Sequence, residues 1–193
     1  MNTYVNPNDP RVKRTRKFLQ HAFLELLDEK DFQAITIQDI TERAEVNRST
    51  FYHHFQDKYE LLDLTIGSMF SDILSKWIPE DKEMSKQTLV RNLMLAVCQW
   101  QVETGKHINR KMSLSATIEK TTIQHLYTII VSCLKQTELK TVKDQRKTEV
   151  TATMISWSIY GIVFQWVSNQ ETESAEELVD LTLPFILACL YST

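Results

Sequence analysis

Apolar side chains recur along this chain at helical spacing. Leu19, Ala22, Phe23, Leu26 and Leu27 share one helix face. Asn8-Asp9-Pro10 opens that helix, since Asp9 can cap orphan N–H groups and Pro10 suits the first turn. The helix is expected to end near Lys30, with Phe32 and Ile35 sealing the corner below it. Thr36-x-x-Asp39 reads as a variant of the capping box and starts a short helix through Ile37, Ile40 and Ala44. Asn47 is placed to cap another short helix, from Arg48 to about His54. Asp57-x-x-Glu60 then starts a longer one, with Leu62, Ile66, Met69, Phe70, Ile73, Leu74 and Trp77 on one face and Pro79 as its stop.

Beyond residue 80 the predicted helices lengthen. One covers 87–104, with Leu89, Leu93, Ala96, Val97 and Trp100 on a face and Gly105 as its stop. Others cover 114–136 and 147–169. The last of these is apolar almost all round and so must be covered on most sides. Ser174-x-x-Glu177 caps a final helix, in which Pro184 predicts a kink.

Composition supports an all-α fold. The 193 residues include 3 Gly and 4 Pro, where average usage gives about 13 and about 10. Sandwiches, barrels and α/β folds need more turn formers than that. With 42% hydrophobic and 24% charged residues, the chain is not disordered. Cys98, Cys133 and Cys189 are scattered and odd in number. They predict neither a disulfide framework nor a zinc knuckle, and they suit a reducing cytosol. No signal-peptide h-region is present, and the longest apolar run, Ile162 to Val167, is interrupted by Gln165. The expectation is a cytoplasmic protein with no membrane partner.

The net charge of −3 is uneven. Residues 11–17, R-V-K-R-T-R-K, hold five basic side chains and no acidic one. Residues 171–180 hold five acidic and no basic ones. A charge run is ordinarily a solvated helix face, and the basic arm gains meaning only from the helices next to it. Two short helices at 36–44 and 48–54, joined by a tight turn and preceded by a longer amphipathic helix, form a helix-turn-helix arrangement. In such an arrangement the second helix enters the DNA major groove.

The stretch I-T-I-Q-D-I-T-E-R-A-E-V-N-R-S-T-F-Y-H-H-F-Q-D-K-Y-E-L-L (Ile35–Leu62), and above all T-F-Y-H-H-F-x-D-K (Thr50–Lys58), resembles the DNA-binding domain of TetR/AcrR-family transcriptional regulators. The resemblance covers residues 11–65. It is weaker beyond them, where the Trp-rich Trp157–Val167 and the acidic cap look most like the subgroup of the dihydroxyacetone-kinase operon activator. It implies an N-terminal three-helix helix-turn-helix domain, residues 1–58, and a larger helical effector-binding and dimerisation domain, residues 59–193. It also implies a homodimer on a palindromic double-stranded DNA operator, modulated by a small-molecule effector.

The site residues implied by the resemblance are Thr36, at a helix N-terminus suited to phosphate, and Asn47, Arg48, Ser49 and Thr50 at the start of the recognition helix. Arg48 is placed either to read a guanine or to clamp a phosphate. Tyr52 and His53 are expected along the phosphates, and Lys58 resembles the family's phosphate-binding lysine. Phe51, Phe55 and His54 are assigned to packing. In the basic arm, Arg14 and Lys17, with Arg11, Lys13 and Arg16, neutralise phosphates. One departure is Ala44-Glu45-Val46, where the family usually has A-G-V. A glutamate held at positive φ costs on the order of 1 kcal/mol.

Ser158, Gly161, Ile162 and Phe185 are assigned to the dimer interface. Met94, Cys98, Trp100, Met112, Tyr127 and Trp157 are the candidate lining of an effector pocket, with ordinary core packing as the alternative for each. No metal-ligand spacing, cofactor motif or catalytic signature is found, so neither an enzyme nor a cofactor is expected. The alternative function is a TetR-like co-activator acting mainly through a protein partner.

Overall fold

The computed structural model describes residues 9–79, 84–107, 114–135, 142–169 and 173–191. Among them are eight α-helices, one 3-10 turn and no strand. The helices are α1 (Pro10–Glu29), α2 (Ile37–Arg43), α3 (Arg48–His54), α4 (Lys58–Trp77), α5 (Lys86–His107), α6 (Ser115–Lys135), α7 (Val142–Ser168) and α8 (Ala175–Tyr191). The 3-10 turn, Phe32–Ala34, lies between α1 and α2.

The chain divides into two compact units. The first is Met1–Ile66 together with His107–Ser115, and the second is Gly67–Lys106 with Ala116–Thr193. The division on the α4 side therefore falls within that helix, at 66/67, and not at its start, where the expected boundary of 58/59 lies.

In the first unit, Leu19, Ala22, Phe23, Leu26 and Leu27 of α1 are buried with Phe32, Ile35, Ile40, Phe51, Phe55, Leu61 and Leu62. All of them except Leu61 were named in the sequence as apolar-face, corner or packing positions. Phe23 meets the edge of Phe32 at 6.1 Å, and Phe51 packs on Phe55 at 5.6 Å. The helix ends are held by local polar groups. Asp9 accepts from Arg11 N at 2.8 Å. Asp57 Oδ1 accepts from Tyr59 N and Glu60 N at 2.8 and 2.9 Å. These bonds satisfy first-turn donors that have no partner within the helix.

In the second unit, Trp100 is fully buried, packs 5.4 Å from Phe70 and donates to Thr122 Oγ1 at 2.8 Å. Trp77 Nε1 donates to Gln99 Oε1, and Asn92 Nδ2 donates to the Trp77 carbonyl, each at 2.8 Å. Arg91 of α5 pairs with Asp180 of α8. Ser174 and Glu177 form the expected reciprocal cap at the start of α8.

Several boundaries differ from the expected ones. α5 continues through Gly105 to His107, because no glycine among the described residues takes the positive φ that a helix-ending glycine exploits. α7 begins at Val142, five residues before the expected start at 147. Its described early side chains, Asp144, Gln145, Arg146 and Lys147, are exposed and polar and leave no apolar rhythm to read. Pro184 lies inside α8, where its missing N–H leaves the Asp180 carbonyl without a helical donor.

α7 is long and apolar enough to cross a membrane by length and composition, with a mean hydropathy of 1.3 in an 18-residue window within Asp144–Ser168. In this fold Ala152, Ile155, Ile159, Val163 and Trp166 form its buried stripe, and α7 packs on α8. Val150, Met154, Trp157 and Phe164 lie on the opposite, exposed side. Within one chain the helix is thus covered on one side only.

Candidate nucleic-acid interface

The capping box expected at the start of α2 is complete. Thr36 Oγ1 accepts from Asp39 N at 3.1 Å, while Thr36 N donates to Asp39 Oδ2 at 2.7 Å. Lys30 Nζ lies 2.9 Å from the same carboxylate oxygen. That Lys30 contact, then the Thr36 backbone and hydroxyl donors, pull the Asp39 pKa down to about 2. Thr36 therefore spends both its N–H and its hydroxyl inside the cap.

The turn out of α2 carries the departure noted in the sequence. Glu45 has φ 54°. Its N–H donates to the Glu42 carbonyl at 3.2 Å, and Val46 N donates to the Thr41 carbonyl at 3.0 Å. These two bonds make a Schellman motif with glutamate in the left-handed position that glycine ordinarily fills. The turn keeps its geometry, and the glutamate bears the strain. Arg43, two residues before Glu45, donates to Glu29 at 2.9 Å through both terminal nitrogens and lies 3.3 Å from Glu25, which ties the end of α2 to α1.

α3 presents its polar side outward. Phe51 is buried beneath it, while Asn47, Arg48, Ser49, Tyr52 and His53 are exposed and Thr50 is half-buried. Arg48 and Tyr52 stand together one turn apart. The guanidinium lies 5.9 Å from the Tyr52 ring centroid and 3.5 Å from its hydroxyl, and Tyr52 is 50% exposed. His53 Nδ1 is 2.7 Å from the Ser49 carbonyl, which fixes the ring along the helix. Asn47 holds the cap position without a side-chain capping bond. An open hollow of about 450 Å³ is lined by Gln33, Ile35, Thr36, Ile37, Gln38, Arg48, Asp57 and Lys58, so the starts of α2, α3 and α4 share one recess.

The basic arm forms the first turns of α1. Arg11, Lys13, Arg14 and Lys17 are exposed, with the Arg14 guanidinium over Phe18 at 5.3 Å. Arg16 turns inward and lies 5.8 Å from the Phe55 ring centroid. His54, half-buried beside Phe55, has its pKa lowered first by burial and then by Arg16 and His53.

Lys58 is the first residue of α4. Its ammonium donates to the carbonyls of Phe32, Gln33 and Ile35 at 3.0, 3.1 and 2.8 Å, and lies 4.7 Å from the Phe32 ring centroid. Burial lowers its pKa. The sequence held no signal for this, because the acceptors are main-chain atoms more than twenty residues away.

Residues 21–64 match the family described as bacterial regulatory proteins, tetR family. The match to that family is confined to the first unit. The chain is similar to the HTH-type transcriptional regulator YxbF of Bacillus subtilis, 48% identical over 67 residues, or 34% of this chain and 18% of that protein. It is also similar to DhaS, the HTH-type dhaKLM operon transcriptional activator of Lactococcus lactis, 31% identical over 61 residues, or 32% of this chain and 33% of that one. The chain thus spans 18% and 33% of those two relatives. Among solved structures, a TetR transcriptional regulator from Streptococcus agalactiae aligns over 92% of this chain and 96% of its own, with a TM-score of 0.59 and 19% identity. A structure of DhaS aligns over 92% of this chain and 97% of its own, with a TM-score of 0.52 and 18% identity. These likenesses extend the TetR fold across both units, and the relatives are named as regulators of transcription, not as enzymes.

The second unit scatters the residues expected to line an effector pocket. Met94, Cys98 and Trp100 are buried on α5, and Tyr127 is half-buried on α6. Met112 lies outside the described residues. Trp157 is corrected: it is 53% exposed and belongs to the outer stripe of α7, because it falls between the buried positions Ile155 and Ile159. Of the residues expected at a dimer interface, Ser158 and Gly161 are exposed, Ile162 is half-buried and Phe185 is 71% exposed.

Proposed function

We propose that this chain is a cytoplasmic TetR-family transcriptional regulator that binds a palindromic operator as a homodimer, with α3 of each copy in the major groove. The observation that carries the reading is the outward row on α3, Arg48 and Tyr52 above all, raised on a buried Phe51. A guanidinium at the first turn of such a helix reaches base edges, and a tyrosine one turn later reaches the backbone. The exposed cations at the start of α1 supply further charge for phosphates, whatever the net charge of the chain.

Dimer formation is supported by the outer faces of α7 and α8, where Met154, Trp157, Phe164, Leu181 and Phe185 are exposed. Surfaces of this kind mark association, and a two-fold dimer matches a palindrome. A small effector held among α5 and α6 near Trp100 completes the proposal. A ligand screen by tryptophan fluorescence and melting shift tests that part.

The experiment for the whole reading measures full-length protein on the palindrome upstream of its own gene and on random duplex at low salt. Preference for the palindrome is expected. Equal binding to both, together with Tyr52→Ala leaving regulation in cells unchanged, rejects the proposal. Capture of a protein partner with no operator shift would favour the co-activator reading instead.

A further inference from the structure

We infer that Gln101 and Tyr160 form the polar end of the effector site in the second unit, and that the effector is an uncharged, mostly apolar molecule whose carbonyl oxygen they hold. The inference rests on the effector reading above. Gln101 lies on α5 and Tyr160 on α7, 2% and 7% exposed. Among the described residues of the second unit, Gln101 Nε2 is the buried side-chain polar atom left without a hydrogen-bond partner.

The buried hydroxyls of the same unit behave differently. Thr104 donates to the Trp100 carbonyl, Thr122 to that of Ile118 and Ser156 to that of Ala152, each at 2.7 Å. Each uses a carbonyl one turn back on its own helix and needs nothing more. The Gln101 amide nitrogen carries two N–H donors, and burying them without an acceptor is costly. α5 is buried from Leu93 to Gln101 except at the half-buried Gln99, so the amide stands in apolar surroundings. An unpaired donor retained in such a place points to an acceptor that arrives from outside the chain.

Tyr160 supplies another donor. Burial raises its pKa, the Gln101 side chain opposes that rise, and Glu119 adds to it. The phenol therefore stays protonated at neutral pH beside the amide. An N–H and an O–H side by side suit one oxygen with two lone pairs, which a carbonyl provides. A carboxylate fits poorly, because burial and the half-buried Glu119 of α6 both disfavour negative charge there. Val97, Cys98 and Trp100 on α5, with Ile159 and Val163 beside Tyr160 on α7, are buried and make the rest of the neighbourhood apolar.

The test uses full-length wild type, Gln101→Met, Gln101→Leu and Tyr160→Phe, each checked for helical content by circular dichroism. Two matched probe sets are titrated by calorimetry and melting shift: acetophenone, benzoate and ethylbenzene, and nonanone, nonanoate and decene. Wild type should bind each ketone on the order of ten-fold more tightly than its hydrocarbon and carboxylate counterparts. Gln101→Met should lose that preference while still binding the hydrocarbons, and Tyr160→Phe should weaken it. Retained hydrocarbon binding separates a lost hydrogen bond from a lost fold. A ketone preference that survives in Gln101→Met overturns the inference and leaves the effector reading standing. Equal binding of ketone and hydrocarbon by wild type overturns it too, with water as the partner of the amide. Tighter binding of the carboxylates overturns the uncharged class. No binding of any probe overturns the inference, and the wider ligand screen then decides the effector reading separately.

Melting of the free protein gives a readout that needs no ligand. Gln101→Met and Gln101→Leu should melt higher than wild type, because each removes the unpaired donor. Lower melting points in both would show that the amide is already paired within the protein, and would overturn the inference.

Discussion

The two units expose side chains of opposite chemistry. On the first, the recognition helix turns Arg48, Ser49, Tyr52 and His53 outward over a buried Phe51. On the second, α7 and α8 turn Met154, Trp157, Phe164, Leu181 and Phe185 outward. Both sets lie on helices whose opposite faces are buried, so neither results from loose packing. The first set suits a surface of hydrated anions and hydrogen-bonding base edges. The second gains by leaving water, at roughly 25 cal/mol for each Å² covered. Exposure alone does not indicate a binding face, but its composition distinguishes what each face is built to meet.

The strongest way to break this comparison is to spoil the apolar face without touching the fold. At Gly161 an added Cβ meets nothing within 4 Å in the single chain. Gly161→Glu should therefore leave the helical content intact, turn a dimer into a monomer in sedimentation, and weaken operator binding on the order of 100-fold or more as linkage of the half-sites is lost. A wild type that sediments as a monomer at micromolar concentration would remove the premise.

The polar face is tested next. Arg48→Ala should cost about 1–3 kcal/mol on the operator and relax preference at one symmetric base pair per half-site, if the guanidinium reads a guanine. Equal losses on specific and random DNA would make Arg48 a backbone clamp instead.

The same contrast explains what was legible in the sequence. The first unit is written in local signals: Asp9-Pro10, Thr36-x-x-Asp39 and Asp57 each act within a few residues, and each appears where its spacing placed it. The row Arg48 to His53 was readable because a short helix with one buried aromatic leaves few choices of outer face. The contacts of Lys58 were not readable, because its partners are backbone carbonyls far away in sequence. In the second unit, apolar residues surround α7, and composition could not say which stripe faces inward. Only packing separates Ile155 and Ile159 from Trp157 between them. The added residues at the end of α5 and the start of α7 carry no apolar rhythm, so periodicity could not find them.

A smaller effect probes the strained turn. Glu45 sits at φ 54°, and its backbone bonds do not depend on the side chain. Glu45→Gly should stabilise the protein by about 1 kcal/mol, since glycine takes this conformation without the steric penalty. It should leave Arg43 on Glu29. A higher melting point with unchanged operator preference is expected. A lower one would show that the carboxylate has a compensating role.

The smallest effect sharpens the account of local signals through pH. Asp39 is held at a pKa of about 2, against an ordinary 3.8, first by Lys30 and then by the Thr36 donors. A depressed carboxylate contributes stability above its unfolded pKa and loses that contribution as pH falls through its folded one. Asp39→Asn should thus be less stable than wild type by a constant amount above about pH 4. The gap should narrow below 3.8 and close near pH 2. Its size should stay under about 1 kcal/mol, because the carboxylate is 31% exposed and solvent screens its pairing with Lys30. Urea midpoints at closely spaced pH values give the measurement. A gap that persists undiminished at about pH 2 would mean that Asp39 acts through the shape of its cap and not through its charge.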